Sequence, residues 1–109
     1  MSDFSKFLDQ LKDNLGALAT EHAGEALDAF KSDSQEFLDE AKADLEDWTR
    51  KLAAGEMSAA GFELAVRGKA EVAKMRALTE AGLAAVRIDK IKVAILDTVI
   101  STAKVAFLG

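Results

Sequence analysis

An all-α fold is predicted by three features of this sequence of 109 residues. It contains no proline, the residue that most disrupts a helix interior. Alanine, Leu, Glu and Lys are abundant, and these residues lose little conformational freedom in a helix. Apolar residues also recur at steps of three and four, which is the helical period. The length predicts one domain over residues 1–109.

The first helical arm is predicted over residues 3–54. Its apolar spacing drifts around His22 and Ala26, so a strict left-handed coiled coil is not favoured over straighter helix packing. The apolar positions that define the arm are Phe4, Leu8, Leu11, Leu15, Leu18, Leu27, Phe30, Phe37, Ala41, Leu45, Trp48 and Leu52.

A turn is predicted at residues 55–57, near the middle of the chain. Gly55 can adopt the left-handed conformation that ends a helix, and Ser58 can cap the next one. From Ser58 the helical pattern continues to Leu108, which predicts a second arm over residues 58–108.

Two arms of similar length around one turn predict a long antiparallel hairpin, each arm about 75 Å long at 1.5 Å per residue. Folding the arms together places Asp44 level with Arg67 and Phe4 level with Phe107. The alternative is a compact four-helix bundle, with extra breaks near Ser32–Ser34 and at Gly82.

The closing stretch of the second arm predicts association. Charged residues interrupt it too often for a membrane span. Its apolar arc is nevertheless wide, about 200°, whereas packing on one neighbour needs about 100°. A second apolar stripe beside the first is therefore expected to meet a partner; its members are Val93, Leu96, Ile100 and Phe107.

Small residues in the second arm suggest a further contact. Gly61 and Gly68 are one heptad apart, and aligned small residues let another helix approach closely. They complete the predicted interface, through which hairpins would assemble into an oligomeric bundle.

The charge distribution argues against nucleic-acid binding. The net charge is −5, and no cluster of Lys and Arg with interleaved aromatic residues is present. Residues 1–55 carry a net charge of −7 and residues 56–109 a net charge of +2, which favours attraction between the halves. The acidic first residues do not resemble a signal peptide, so the expected location is cytoplasmic, with signal-independent export left open.

Catalytic and metal chemistry are not expected. The chain has no Cys and a single histidine, His22, interpreted as a packed residue rather than a ligand. Acidic residues recur along one helical face and are expected to be solvated or paired with Lys and Arg; they are Asp33, Glu36, Glu40, Asp44 and Asp47. No cofactor, metal or small-molecule substrate is predicted.

The sequence therefore predicts a non-enzymatic structural or assembly protein that self-associates or binds another helical protein. The first alternative is an amphipathic protein that binds a lipid or granule surface, including a pore-former. A further alternative is a small adaptor of a phage or secretion assembly.

Overall fold

A computed structural model describes residues 3–22, 24–71 and 75–108. This part of the chain contains helices and turns but no strand, so the all-α prediction is confirmed. A short 3-10 turn, Gly24–Ala26, joins the first two helices. The five α-helices are α1 (Asp3–His22), α2 (Leu27–Ala53), α3 (Ala59–Glu71), α4 (Arg76–Glu80) and α5 (Ala85–Phe107).

The buried faces of the helices follow the helical period, but not every predicted apolar position is buried: in α1, Phe4, Leu8 and Leu18 are only half-buried. Helix α1 packs mainly against α5 and α2, and α2 also packs against α3 and α4. In α1 every fourth residue from Phe7 to Ala19 is buried, which gives the helix one continuous apolar side. The largest fully buried side chains of the common core include Phe7, Phe30, Phe62, Leu78 and Ile91.

The turn after α2 has the geometry predicted around Gly55. This glycine has φ of +77°, a left-handed conformation that residues with a Cβ rarely adopt. The N–H of Gly55 donates to the Leu52 carbonyl at 3.3 Å, and the N–H of Glu56 donates to the Lys51 carbonyl at 2.9 Å. These two bonds form a Schellman motif, which satisfies the last carbonyls of α2.

The end of α4 repeats the same motif around Gly82. Its φ is +90°, its N–H donates to the Thr79 carbonyl at 3.0 Å, and the N–H of Leu83 donates to the Leu78 carbonyl at 3.3 Å. The chain therefore stops α4 and restarts as α5, where the sequence pattern had suggested one continuous arm.

The long hairpin is not confirmed. Both predicted arms are divided, the first by the turn at Gly24–Ala26 and the second by the turn at Gly82 between α4 and α5. The backbone measures 42 × 25 × 20 Å, which cannot accommodate a straight arm of about 75 Å. Folding each arm back buries apolar faces that two extended helices alone would leave in water.

The compact alternative agrees with the structure at one of its two breaks. The break at Gly82 is present, but residues 32–34 lie inside the continuous helix α2. Ser32, which could have capped a new helix, is exposed within α2, and the Ser34 hydroxyl donates to the Lys31 carbonyl at 3.2 Å inside the same helix.

The predicted pairs are shifted by less than one turn each. Asp44 forms an ion pair of 2.9 Å with Lys69 rather than with Arg67. Phe107 packs edge-on against Phe7, with ring centroids 5.6 Å apart, rather than against Phe4. The antiparallel pairings of α2 with α3 and of α1 with α5 thus keep approximately the predicted register.

Candidate functional site

The outward side of α5 carries most of the strongly exposed large hydrophobic side chains of the described chain. Among the described residues, five large hydrophobic side chains are strongly exposed: Leu64 lies on α3, and the other four lie on α5 or on the residue after it. Their exposed fractions are 68% for Val86, 48% for Val93, 76% for Val105 and 52% for Leu108. Exposed apolar side chains gathered on one element mark a contact surface more often than scattered ones do.

Successive residues of an α-helix are separated by about 100° around the helix axis, and one set of residues in α5 falls within an arc of about 60°. We call this face the α5 strip; it consists of Val86, Lys90, Val93, Asp97, Lys104 and Leu108. The strip contains three apolar and three charged side chains, and none of its members belongs to the buried core. It therefore offers a partner both apolar contact and charge.

The middle of the strip is tied to α3 by ion pairs. The Arg67 guanidinium contacts Glu63 at 3.0 Å and Asp97 at 3.1 Å, and Lys104 lies 3.7 Å from Glu63. Hydrogen bonding from Arg67 lowers the pKa of the Glu63 carboxyl below its usual value, and the same bond raises the pKa of Arg67. These partly exposed pairs orient α3 and α5 more than they stabilise the fold.

A groove follows the junction of α1 and α5 on the other side of the strip. Its two sections, of about 490 and 350 Å³, share Asn14, Ser101 and Thr102. Val105 lines the first section, and Glu21 and Asp97 line the second. The groove is open to solvent along the full contact of the two helices and is bordered by the α5 strip.

A chain of hydrogen bonds crosses the floor of this groove. The Gln10 amide donates to the Asn14 side-chain oxygen at 3.0 Å, and the Asn14 amide donates to the Thr102 hydroxyl at 2.9 Å. The Thr102 hydroxyl then donates to the Thr98 carbonyl at 2.7 Å. Because a polar pair between two helices is satisfied in one alignment only, these bonds fix the register of α1 against α5. No motif or spacing in the sequence predicts them.

Two residues of the predicted interface are buried inside the chain itself. Leu96 is 6% exposed and Ile100 is 4% exposed, and both belong to the common core. The wide apolar arc of α5 is thus covered largely by α1, α2 and α3. A partner could contact these two side chains only if that packing opened. Phe107 is half-buried against Phe7, and Val93 remains on the surface.

The predicted glycine contacts lie on α3, away from the α5 strip. Gly61 is in the first turn, where its N–H donates to the capping Ser58 hydroxyl at 3.0 Å. Gly68 is exposed, and a Cβ added there would meet nothing within 4 Å. Neither glycine is therefore needed for a close approach of helices within the chain, and their contact with another molecule remains a prediction.

Asp33 departs from the predicted acidic face, because it is buried. Only 2% of the residue is exposed, and its two carboxylate oxygens accept hydrogen bonds from the N–H groups of Ala77 at 3.0 Å and Leu78 at 2.8 Å. It therefore caps α4 from the neighbouring helix α2. Of the remaining acidic residues, Asp44 and Asp47 pair with basic side chains, as expected.

Within the described residues, no group of three or more His, Cys, Asp or Glu side chains is arranged to hold a metal ion. The side chain of His22 lies outside the described part of the structure. Of the helices described, none has the length and apolar character needed to cross a bilayer. No protein-family model, curated protein or solved structure matches the chain at a significant level.

Proposed function

We propose that this protein is a non-enzymatic assembly component that associates with other protein copies or helical partners through the α5 strip. The observation that carries the proposal is the concentration of exposed large hydrophobic residues on α5. The apolar core is already closed without these side chains, so their exposure is not explained by folding. Association would remove them from water.

The chemistry of the adjoining groove is consistent with binding rather than catalysis. Amides and hydroxyls lie in the groove beside charged side chains such as Lys6 and Glu21. The buried hydroxyl of Thr102 is bonded to an amide and to a carbonyl rather than to a general base. Such groups can align a helical partner by hydrogen bonding. The proposal therefore assigns the groove a role in orientation beside the strip.

A lipid surface is the second candidate, favoured by the first turns of α5. Val86 and Val93 flank the basic residue Lys90 on one face, an arrangement that suits an interface containing anionic lipid. The nearby acidic residue Asp89 weakens this attraction. Protein association is accordingly the first proposal.

Solution mass tests the proposal directly. Light scattering over a concentration series should show association, and Val93→Lys should shift it to higher concentration because a charge replaces the exposed apolar centre of the strip. Leu64→Lys is the matched control, since Leu64 is 73% exposed but lies on α3 outside the strip. Circular dichroism of both variants should show unchanged helix content.

The same series with vesicles of phosphatidylcholine and phosphatidylglycerol separates the two candidates. Association that is independent of vesicles supports the assembly role. A chain that stays monomeric at every concentration contradicts it, and a monomer that sediments with the vesicles supports the lipid role instead.

A further inference from the structure

We infer that the occupant of the α5 strip is a second copy of this chain, bound as an antiparallel α5–α5 pair with its two-fold axis beside Val93. The inference rests on the proposed function and specifies the partner and its orientation. It is carried by the charges of the strip, by their spacing and by the accessibility of the first turns of α5.

Lys90 and Asp97 make the strip self-complementary. They are one heptad apart on the same face, and both are exposed. A two-fold axis midway between them, beside Val93, places Lys90 of each copy level with Asp97 of the other. Each of the two ion pairs then lies about 5 Å along the helix from the axis. A symmetric contact contains every such interaction twice.

The opposite orientation is disfavoured by the same charges. A parallel pair in register would place Lys90 against Lys90 and Asp97 against Asp97, and like charges across a contact are repulsive. In the antiparallel register, Asp89 is level with the neutral Thr98, and Lys104 lies beyond the first residue of the other copy's α5. No two like charges of the paired α5 helices are therefore brought level, and Val93 of each copy meets Val93 of the other. Lys90 of the other copy and Arg67 would share the carboxylate of Asp97.

The charges needed for the contact are available. Lys90 forms no ion pair within the described residues. Asp97 accepts a bond from Arg67 through Oδ1 only, at 3.1 Å, so Oδ2 can accept one from Lys90 of another copy. The shared carboxylate would join the ion pairs of α3 and α5 to the dimer contact.

Helix α1 ends before the level of the first turns of α5, although the turn that follows α1 lies near Arg87, since a Cβ at Gly24 would be 3.7 Å from the Arg87 guanidinium. Glu21, next to the end of α1, lines the groove beside Asp97, and Arg67, one turn before the end of α3, contacts Asp97. Both flanking helices run antiparallel to α5, so α1 ends near the level of Asp97. Val86 and Lys90 therefore lie where this neighbour does not obstruct a second copy.

The contact is small, because residues 86–101 of α5 span only about 24 Å. An interface of this length is below the standard protein–protein size, and we expect a dissociation constant in the roughly micromolar range or weaker. The concentration series must therefore extend to about 1 mM.

Charge reversal in mixed samples provides the decisive test. Lys90→Asp alone and Asp97→Lys alone should each weaken the homodimer by about tenfold or more, because each introduces two like-charge contacts. An equimolar mixture of the two variants should restore association, since Asp on one chain then faces Lys on the other at both positions. The matched control Lys42→Asp, at an exposed position on α2, should leave the dissociation constant unchanged.

Salt dependence provides a second readout in case the Asp97→Lys variant does not fold. That substitution would place a lysine beside Arg67 and Lys104. Added salt should weaken the wild-type dimer and strengthen that of Lys90→Asp, because it screens attraction in the first and repulsion in the second. If neither charge reversal weakens association, or if both weaken it and the mixture does not restore it, the α5–α5 pair is overturned. Assembly through another surface would still be possible in either case. A wild type that is monomeric up to about 1 mM would reject both proposals.

Discussion

Replacement of the buried Asp33 should produce a large loss of stability for a single acidic side chain. Asp33 lies in the middle of α2, yet it bonds to the first N–H groups of α4, which is more than 40 residues away in sequence. Asp33→Ala removes both acceptors and leaves the surrounding helices in place. The N–H groups of Ala77 and Leu78 then have no partner from α2.

The expected cost is set by burial of the two donors. The side chain of Leu78 is fully buried, so its N–H remains shielded from water, whereas Ala77 is half-buried and its N–H can be rehydrated in part. An unsatisfied buried donor costs about 1–3 kcal/mol. We therefore expect Asp33→Ala to lower the free energy of unfolding by about 2–4 kcal/mol, a large share of the total of about 5–15 kcal/mol for a typical domain.

Urea denaturation followed by circular dichroism measures this loss, and Asp39→Ala is the control. Asp39 is exposed on the same helix, so both substitutions gain the same helix propensity and only one removes the cap. Hydrogen exchange should also accelerate at the amides of Ala77 and Leu78 in Asp33→Ala. If the two variants lose equal stability, Asp33 does not hold α4 and the reasoning is refuted.

Two further predictions concern glycine and acid. Gly82→Ala should lower the free energy of unfolding by about 1–2 kcal/mol, because Gly82 has a positive φ. Gly68→Ala should raise the free energy of unfolding by up to about 1 kcal/mol, since a Cβ added at that helical position would meet nothing within 4 Å. Equal effects of the two substitutions in urea denaturation would contradict the assigned conformations. The hydrogen bond from Arg67 depresses the pKa of the Glu63 carboxyl in the folded state. The contribution of this carboxylate to the free energy of unfolding is therefore present above pH 4.5, the ordinary pKa of the group, and is lost as the pH falls through the folded-state pKa. Unfolding curves between about pH 3 and 6 should therefore be less acid-sensitive for Glu63→Gln, and an unchanged profile would show that this carboxylate is not linked to folding.

The candidate site could be predicted from sequence only in part. Val93 was identified from its place on an apolar stripe, and it is exposed in the structure. Leu96 and Ile100 belong to the same stripe but are buried, because periodicity defines the faces of a helix without stating which neighbour covers each face. The heptad spacing of Lys90 and Asp97 is visible in the sequence, but its significance depends on both being exposed on one face.

The all-α class, much of the apolar periodicity of α1 and α2 and the glycine-centred turn after α2 could be predicted without the structure. These properties depend on local causes, namely residue propensity, the helical period and the left-handed conformation of Gly55. The folding back of the arms into a compact bundle, the capping of α4 by Asp33 and the part of α5 that stays on the surface became visible only in the three-dimensional arrangement. Each of these depends on contacts between residues far apart in sequence, where the burial of one face competes with the burial of another, and no local pattern records the result.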